Sequence, residues 1–499
     1  MIKIIFYFIY SVIFVENCID IISIKPIFYC VFENKKAILF SLSLKLLLKL
    51  MKKIFIFFVL FLSQMFFNQS VTEKLDQSVK VLLASSPMFS GNLSFYVSDE
   101  NGNFVYEYQG NKGLSTASTM KVFTAAAALE TLGKNYKYST KVAYDGSLYV
   151  FSNGDPTLGS WRYEGFKPEN FISKIVENLK SKNISKISGN LIIDDTYFDF
   201  QKIPGGWPYN DMGNYYGAGV WGVNWRENQF DINTFGKDFK NFNIDLKDVK
   251  FVNDVRTEGT SDRSIIYTSP YSNVAYLNGT LPAKSMTISG ATPNPPKQLA
   301  LEIIAELKKQ KIDFNGKIII NSEKLINSEK PIEFPRNKVI LEYQSPSLDK
   351  LVYWFLKKSI NLYGETFVKT MSKEKTGNPT FENGVKYLKN FWKQRGIDER
   401  MINFVDGSGL SPQNYASARA EVLAMLWAKK QPWFPEYYEG FPVQGNGMRM
   451  KSGSIKDCRA FAGFQTSKDG KNYVFSIIMN NYQAADLSDA LYKVLNNLK

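Results

Sequence analysis

The stretch STASTMKVFTAAAALETLG, residues 115–133, decides the fold of this chain. From Val122 to Leu132 it is apolar almost without interruption, and it ends at Gly133, which predicts a helix buried on all sides. Such a helix must lie at the centre of a domain, with other elements packed around it. Ser118 and Lys121 are three residues apart at its start, so their side chains face the same side.

The segments on either side predict hairpins and amphipathic helices at both ends of the chain. A hairpin turns at Asn101-Gly102, because apolar residues alternate before and after this pair. A second hairpin turns at 468–471. Helical spacing of apolar residues predicts helices at 71–84, 347–370, 380–395, 417–429 and 485–497. The order predicts an α+β fold, with an antiparallel sheet built from both chain ends and flanked by helices.

Residues 141–337 have a different pattern. Short β-type segments lie between Gly, Asn and Pro turns, at Lys141–Phe151, Gly189–Asp194 and Ser264–Leu277. One helical stretch, Leu299–Lys309, follows Pro295-Pro296. We therefore expect inserted, β-rich subdomains over 141–337, within a catalytic domain made of 71–140 and 338–499.

Composition excludes several classes of function. The chain contains no histidine, so a Ser-His-Asp triad, a Cys-His dyad and a His-based metal site are excluded. Its three cysteines form no CxxC pair, and neither a metal nor a cofactor is expected. The net charge of +14 is spread along the chain without a dense Lys/Arg block, which indicates a solvated basic surface and no nucleic-acid partner.

The N-terminal region predicts export. Lys52 and Lys53 precede the apolar run Ile54–Leu62, which is typical of a secretory signal and too short to span a bilayer. We interpret residues 51–70 as a signal peptide cleaved between Ser63 and Val71, and residues 1–50 as a non-native upstream extension. The alternative for 1–50 is a membrane anchor, but its apolar runs are short, so at most peripheral membrane association is expected.

Three short motifs occur in a fixed order and together suggest a serine hydrolase. Ser118-Thr-Met-Lys121 pairs a hydroxyl with an amine that can accept its proton if burial lowers the lysine pKa. Ser359-Ile-Asn361 and Lys451-Ser452-Gly453 follow, in the order SxxK, SxN, K[ST]G known from penicillin-interacting serine enzymes. Each motif alone is equally compatible with a helix cap, a polar turn or an exposed lysine. Their joint occurrence favours the catalytic interpretation.

The chain resembles the class C low-molecular-mass penicillin-binding proteins, SxxK serine peptidases that act as D-Ala-D-Ala carboxypeptidases and endopeptidases. The resemblance covers nearly all of 71–499, and the 241 positions between Ser118 and Ser359 match the insertion of this subfamily. Plain β-lactamases lack that insertion. Beside the stretch at 115–133, the matching segments are GDPTL (Gly154–Leu158), ISGNLIIDD (Ile187–Asp195), GGWPYNDM (Gly205–Met212), DGSGLS (Asp406–Ser411), MKSGSI (450–455) and AGF (Ala462–Phe464).

The resemblance implies a role for each motif residue. Ser118 would attack the carbonyl between two D-alanines with Lys121 as its base, and Ser359 would pass the proton to the leaving amine. Asn361 would hold the substrate amide, and Lys451 would attract the terminal carboxylate. The remaining substrate-binding residues would be Ser452, Gly453 and Ser454, with the N–H groups of Ser118 and Ser454 as the oxyanion hole.

The resemblance also bears on substrate choice. Asp211 and Tyr216 look like the acidic and aromatic contacts for the free amine of a diamino-acid side chain, although a turn residue and a core residue explain them equally well. Pro412 stands where relatives often carry an arginine. Asp406-Gly-Ser-Gly409 is interpreted as a structural turn that supports the site.

The sequence thus predicts a penicillin-binding/β-lactamase-like transpeptidase fold and a periplasmic peptidase. Its expected partners are peptidoglycan stem peptides, with β-lactam antibiotics as covalent inhibitors. Two other functions use the same residues: a cell-wall-binding protein with a decayed site, and a β-lactamase or esterase with SxxK chemistry.

Overall fold

The computed structural model describes residues 47–56 and 69–499. The chain divides after Glu73 into two compact units. In the first, residues 47–56 form a helix that includes Lys52 and Lys53. Most of the predicted upstream extension and the predicted cleavage region lie outside the described residues. Within the described ranges, no helix is long and apolar enough to cross a membrane.

The elements follow one another along the chain as a mixture of helices and short strands. The helices are α1 (Val71–Leu83), α2 (Lys121–Leu132), α3 (Pro168–Ser181), α4 (Tyr209–Met212), α5 (Pro295–Lys309), α6 (Asn321–Ile326), α7 (Leu348–Lys357), α8 (Asn361–Thr376), α9 (Phe381–Lys393), α10 (Ala418–Lys429), α11 (Phe434–Glu439) and α12 (Ser488–Leu495).

The strands are β1 (Asn92–Asp99), β2 (Phe104–Tyr108), β3 (Gly113–Leu114), β4 (Ser139–Tyr144), β5 (Leu148–Ser152), β6 (Lys186–Ile187), β7 (Leu191–Asp194), β8 (Gln229–Phe235), β9 (Asp238–Phe242), β10 (Lys250–Asn253), β11 (Arg256–Thr257), β12 (Ile265–Tyr267), β13 (Val274–Asn278), β14 (Thr280–Leu281), β15 (Ser285–Ala291), β16 (Asp313–Phe314), β17 (Ile318–Ile320), β18 (Val339–Gln344), β19 (Ile402–Asn403), β20 (Tyr415–Ser417), β21 (Arg449–Ile455), β22 (Cys458–Thr466) and β23 (Asn472–Asn480).

The main sheet joins the two ends of the second unit, as predicted. Its strand order is β2-β1-β23-β22-β21, and every neighbouring pair is antiparallel. The β1–β2 and β22–β23 hairpins are the two that the sequence predicts. Six of the eight residues of β1 are buried, because this strand is central and covered on both faces. The sheet therefore forms a rigid layer on which the helices pack.

Helix α2 lies at the centre of the main hydrophobic core. Its residues from Lys121 to Leu129 are all buried, and it ends at Gly133, whose φ is +86°. The surrounding core is contributed by α7, α8, α9, α10 and the main sheet. The prediction of a helix buried on all sides is confirmed by this environment.

The segment between β4 and β18 builds its own layers. β4 pairs with β18, so the strands that lead into and out of the segment are neighbours in a five-stranded mixed sheet, β17-β7-β5-β4-β18. Helices α3 and α5 cover this sheet and share a core with it. A second, smaller core lies among β8, β12, β13 and β15. The segment thus has two cores, and we refer to it below as the insert.

The structure differs from the sequence prediction in two places. Helix α3 is not predicted, although Phe171, Ile175 and Leu179 recur at helical spacing and are buried. The single helix predicted over 347–370 is two helices, α7 and α8, separated at Lys358–Ile360. Ser359 has a φ of +59° there, which an α-helix cannot accommodate. The break lies at the predicted SxN motif.

Candidate active site

The turn that carries Ser118 is held from several sides. It is one turn of 3₁₀-helix, Ala117–Met120, that leads directly into α2, and Ala117 has a φ of +45°. Strand β21 lies so close that a Cβ atom on Gly453 would be 2.4 Å from the carbonyl oxygen of Thr116 and 3.0 Å from the nitrogen of Ser118. The glycine of the third motif is therefore required by the close approach of two backbones.

A buried carboxyl group fixes the same turn from below. Thr119 Oγ1 lies 2.6 Å from Glu421 Oε1, and the other oxygen of Glu421 accepts a hydrogen bond from Ser476 Oγ at 2.6 Å. Glu421 belongs to α10 and Ser476 to β23. Complete burial raises the pKa of Glu421 to about 7. The turn Ala117–Met120, called the nucleophile turn below because it carries the predicted nucleophile Ser118, is thus tied to a helix and to the main sheet at once.

Lys121 is fully buried, and its amine is surrounded by oxygen atoms. Nζ lies 2.8 Å from Ser118 Oγ, 2.7 Å from Asn361 Oδ1 and 2.6 Å from the carbonyl oxygen of Ser408. Burial lowers the pKa of Lys121 to about 7, against the opposing attraction of Asp406 and a second buried carboxyl group, Glu365. A substantial share of these amines is therefore uncharged at neutral pH.

The orientation of Asn361 is set by the insert. Its Nδ2 donates to the carbonyl oxygen of Tyr216 at 2.8 Å, so its Oδ1 must face Lys121. Of the three oxygens around the amine, those of Asn361 and Ser408 can only accept hydrogen bonds, whereas the hydroxyl of Ser118 can donate one. An uncharged Lys121 that donates to the first two presents its lone pair to Ser118. This arrangement suits transfer of the hydroxyl proton to the amine.

Ser359 lies at the junction of α7 and α8 and lines the same cavity as Ser118. It is half-buried and has the left-handed backbone conformation noted above. Such strained positions persist where the surrounding structure enforces them, and they are common at active sites. The fold thus brings the SxN serine to the cavity although it is far from Ser118 in sequence.

The third motif is placed partly beside and partly in the cavity. Lys451 is buried, and its Nζ donates to the carbonyl oxygen of Ser452 at 2.7 Å. Burial, together with repulsion from Lys121 and Arg459, holds the pKa of Lys451 well below its usual value. Ser454 lines the cavity itself. Four motif side chains therefore lie beside Ser118 or line its cavity: Lys121, Ser359, Asn361 and Ser454. Lys451 is close enough to Lys121 for the two charges to repel.

The Asp406–Gly409 loop supplies the carbonyl of Ser408 to Lys121. The carboxylate of Asp406 accepts from the backbone N–H groups of Ser408, Gly409 and Ser411 and from Trp207 Nε1, the last at 2.8 Å. A Cβ atom on Gly409 would lie 1.9 Å from the carbonyl oxygen of Ala117. The geometry agrees with the supporting role expected for this loop.

The cavity in front of Ser118 has a volume of about 790 Å³. It is lined by residues of the turn before α2, the α7–α8 junction, the start of α8, the loop at 409–412, the end of β21 and the insert: Ser118, Arg162, Pro208, Asn210, Asp211, Tyr215, Tyr216, Glu227, Gln229, Lys358, Ser359, Ile360, Asn361, Leu362, Gly409, Leu410, Pro412, Ser454, Ile455, Lys456 and Asp457. Both residues predicted to hold a substrate amine are present, and so is Pro412. A cavity of this size accommodates a peptide of several residues.

Asp211 and Tyr216 are direct neighbours on this wall. Tyr216 Oη donates to Asp211 Oδ1 at 3.2 Å, and partial burial raises the pKa of the Asp211 carboxyl group. Within the described part of the chain, Asp211 forms no ion pair. The cavity therefore contains a partly desolvated carboxylate that a cationic ligand group can neutralise.

The sequence analysis does not include three features of the site: the ion pair between Arg162 and Glu227, the unusual backbone at 226–228, and the buried Glu365. Arg162 Nε forms an ion pair with Glu227 at 2.8 Å at the cavity wall, and Tyr363 Oη donates to the same carboxylate. Glu227 is the middle of three consecutive residues, 226–228, with φ near +54°. The third feature is Glu365, which lies four residues after Asn361 on α8, a spacing that could have indicated it. Among the described residues, no cluster of acidic or cysteine side chains could hold a metal ion.

A family model and curated relatives match most of this chain. The model of the D-Ala-D-Ala carboxypeptidase 3 (S13) family matches residues 75–497. A D-alanyl-D-alanine carboxypeptidase of Actinomadura sp. is 24% identical over 82% of this chain and 81% of its own length. The D-alanyl-D-alanine carboxypeptidase DacB of Haemophilus influenzae is 24% identical over 79% of this chain and 87% of its own length.

Solved structures show the same fold. Penicillin-binding protein 4 of Haemophilus influenzae superposes with a TM-score of 0.68 at 23% identity, over 82% of this chain and 96% of the other. A second structure of that protein, complexed with a β-lactam, gives a TM-score of 0.64 at 21% identity, over 86% and 98% of the two chains. The predicted α+β, penicillin-binding-protein fold is confirmed. Because the family model covers most of the chain, this protein belongs to the D-Ala-D-Ala carboxypeptidase 3 (S13) family, a family of serine-type carboxypeptidases.

Proposed function

We propose that this chain is an exported peptidase that hydrolyses D-alanyl-D-alanine bonds of peptidoglycan peptides through an acyl-enzyme on Ser118, and that penicillins inhibit it covalently. The observation that carries the proposal is the environment of Lys121. Its buried amine has two partners that can only accept hydrogen bonds, and one, the Ser118 hydroxyl, that can donate. An amine so placed is a base directed at one hydroxyl group.

Acylation begins with the transfer of the Ser118 proton to Lys121 as Ser118 Oγ attacks the substrate carbonyl carbon. Negative charge then develops on the carbonyl oxygen. The backbone N–H groups of Ser118 and Ser454 stabilise it, aided by the positive end of the helix that starts at Lys121. The tetrahedral intermediate collapses when the leaving amine receives a proton. Water then attacks the ester by the reverse proton path and releases the shortened peptide.

The other motif residues position the peptide. Ser359, which lines the same cavity as Ser118, relays the proton from Lys121 to the leaving amine. Asn361 binds the substrate amide, and Lys451 with Ser452 attracts the terminal carboxylate. Gly453 allows the edge of β21 to approach the nucleophile turn, where an extended peptide can lie.

Asp211 and Tyr216 give the cavity its preference for an amine-bearing side chain. Among the described residues, the Asp211 carboxylate has a hydroxyl partner but no cation, and its pKa is raised by burial. A substrate ammonium would supply the missing charge and restore full ionisation. We expect Asp211→Asn to lower kcat/KM for a diamino-acid peptide about tenfold, a loss of about 1.4 kcal/mol. Acetylation of that amine should lower the wild-type value equally and leave the variant unaffected.

Covalent labelling by a fluorescent penicillin tests the proposal. We expect the full-length protein to be labelled at Ser118, and Ser118→Ala to lose the label. Ser115→Ala is the matched control, because Ser115 is on the same loop and its hydroxyl is buried without a hydrogen-bond partner in the described structure. Lys121→Arg should also abolish labelling, since a guanidinium cannot accept the proton. Failure of the folded wild-type protein to label would contradict the proposal.

Product analysis separates the activities that share this chemistry. Mass spectrometry of defined muropeptides should show loss of terminal D-alanine, or cleavage of cross-links, or both. Labelling without any product would favour a cell-wall-binding protein. Rapid turnover of the penicillin, without a stable adduct, would favour a β-lactamase.

The proposed location follows from the N-terminal sequence. Lys52, Lys53 and the apolar run after them are typical of a secretory signal. Fractionation of cells that produce the full-length chain should place the protein outside the inner membrane, with a new N-terminus between Ser63 and Val71. Recovery of the uncleaved chain in the cytoplasm would contradict export.

A further inference from the structure

The insert contains a second cavity, separate from the one in front of Ser118. Its volume is about 750 Å³, nearly that of the first, and none of the described residues lines both. Residues of the mixed sheet and of the segment 331–336 line it. Lys141 of β4 and its register partner Phe151 of β5 are among them, whereas Val142 belongs to the core shared with α3 and α5. The face of the sheet that these helices leave uncovered therefore has a cavity of the size that binds small ligands.

The segment 331–336 is fixed in place, so the cavity is preformed. The buried side chain of Asn321 donates from Nδ2 to the carbonyl oxygen of Ile332 and accepts from its N–H, both at 2.9 Å. Two residues later, the ring of Phe334 packs against that of Phe151, with the ring centroids 5.6 Å apart. Little free energy is therefore lost to ordering the walls when a ligand enters.

Three aromatic side chains form part of the wall: Phe151, Tyr197 and Phe334. All three are partly exposed, and Tyr197 lies edge-on to Phe151 at 6.1 Å between ring centroids. The face of an aromatic ring carries partial negative charge. The C–H groups on the face of a sugar ring carry partial positive charge, so such a face packs favourably on an aromatic ring.

The polar side chains of this cavity have unused hydrogen-bonding capacity. Asn153 Oδ1 accepts from the backbone N–H of Ser139 at 2.7 Å, which leaves Nδ2 without a partner among the described residues. Asp194 accepts the N–H and the hydroxyl group of Thr196 with Oδ1 alone, so its Oδ2 has no partner in that part of the chain either. The exposed guanidinium of Arg336 has none there as well. The cavity thus offers donors and an acceptor together, which suits hydroxyl groups, since each hydroxyl donates and accepts.

The charge of the lining is nearly balanced. Two cations and three carboxylates line the cavity: Lys141, Arg336, Asp194, Glu333 and Glu342. Glu342 offsets Lys141, because their charged atoms are 3.7 Å apart. A polyanion such as a nucleic acid needs an excess of cations, and a lipid chain would bury the free polar groups without partners. Aromatic rings with balanced hydrogen-bonding groups favour a neutral ligand rich in hydroxyl groups.

We propose that this cavity binds sugar units of the peptidoglycan glycan strand and so holds the enzyme on its polymeric substrate. The sugar rings pack on the aromatic side chains, and their hydroxyl groups bind Asn153, Asp194 and Arg336. The inference rests on the proposed function, because the glycan strand carries the peptides on which that activity acts. Attachment at a second cavity raises the local concentration of those peptides at the first. The cavity should therefore matter for polymeric substrate and not for small soluble peptides.

Binding of peptide-free glycan strands, measured by isothermal titration calorimetry, tests the inference. We expect the full-length wild-type protein to bind them, and Phe151→Ala to bind about tenfold more weakly. Arg336→Ala removes an exposed side chain and should bind about threefold more weakly, which keeps the test valid if Phe151→Ala folds poorly. Phe235→Ala and Arg263→Ala are the matched controls, because both residues are exposed in the insert and line neither cavity. Both controls should bind like the wild type.

Hydrolysis shows whether the second cavity acts independently of the active site. On a soluble pentapeptide that ends in D-alanyl-D-alanine, Phe151→Ala and Arg336→Ala should keep kcat/KM within about twofold of the wild-type value. On polymeric peptidoglycan at low concentration, the rate should fall about tenfold for Phe151→Ala. Thermal unfolding of each variant shows whether a lower rate reflects loss of folded protein.

The outcomes distinguish the two levels of the proposal. If the wild-type protein hydrolyses neither substrate, the proposed function fails. An active wild-type protein that does not bind glycan strands would overturn the inference on the second cavity alone. Binding that Phe151→Ala and Arg336→Ala both leave unchanged would also overturn it, because the sugars would then bind elsewhere. An equal loss of rate on the soluble and the polymeric substrate would show that the cavity supports the fold of the active site, and the inference would again be wrong.

Discussion

Replacement of Asn361 by aspartate puts a negative charge directly against the proposed base. Asn361 Oδ1 lies 2.7 Å from Lys121 Nζ, and its Nδ2 donates to the carbonyl oxygen of Tyr216. In Asn361→Asp one carboxylate oxygen would face the ammonium, and the other would face a carbonyl to which it can no longer donate. The substitution changes few atoms, so its main effect is electrostatic.

The size of the effect follows from Coulomb's law. Two unit charges 4 Å apart attract by about 4 kcal/mol at an effective dielectric constant of about 20. Because a carboxylate divides its charge between two oxygens and the surroundings relax, we take about 3 kcal/mol, which is about 2 pKa units. The pKa of Lys121 would rise from about 7 to a value near 9. At pH 7 the uncharged fraction would fall from about one half to about one in a hundred, and acylation would slow about 50-fold.

The assay is the second-order rate constant of acylation by a fluorescent penicillin between pH 6 and pH 10. For Asn361→Asp the acidic limb should move up by about 2 pH units, with partial recovery of the rate near pH 10. Asn361→Ala is the control, because it removes the same two hydrogen bonds without adding a charge. It should lower the rate and leave the acidic limb near pH 7. An acidic limb at the same pH in both variants would refute the assignment of Lys121 as the group that titrates.

Three further predictions concern the support of the site. Gly453→Ala should reduce penicillin labelling at least tenfold, because the new Cβ atom would meet the nucleophile turn, whereas Gly205→Ala, in open space, should not. Trp207→Phe should lower the free energy of unfolding in urea by about 1–2 kcal/mol more than Trp225→Phe, since only the first indole N–H has an acceptor. The carboxyl group of Glu421 has a pKa of 4.5 when unfolded and about 7 when folded. Between pH 4.5 and about pH 7 the folded state therefore binds more protons than the unfolded state, so the free energy of unfolding should fall as the pH rises. Glu421→Gln should reduce this pH dependence by up to about 1.4 kcal/mol per pH unit.

The sequence predicts well those features that depend on local pattern. The continuous apolar run after Lys121 predicts the buried central helix, and both hairpins of the main sheet follow from turn residues between alternating segments. The three motifs predict that Ser118, Lys121 and Asn361 share one site, and in the structure Lys121 contacts both of the others. The roles assigned to these residues remain predictions for the experiments above.

Local sequence patterns do not predict features that depend on contacts between residues distant in sequence. One partner of Lys121 is the backbone carbonyl oxygen of Ser408. Because every residue has such an atom, the type of residue at 408 does not predict this contact. Glu365 has an ordinary helical setting in sequence, and its burial against a loop forty residues later appears only in the fold. The break between α7 and α8 at Ser359 was missed because its left-handed backbone is imposed by tertiary packing and not by glycine or proline.

The hydrogen bond from Asn361 to the carbonyl oxygen of Tyr216 connects the insert to the surroundings of Lys121, the proposed base. Trp207 adds a second contact between the insert and the site, because its indole N–H donates to Asp406. A shortened protein that lacks 141–337 would keep all three motifs and yet leave an amide free to rotate beside the base. Engineering that aims to reduce this enzyme to a minimal scaffold must therefore transplant the 207–216 loop together with the motifs.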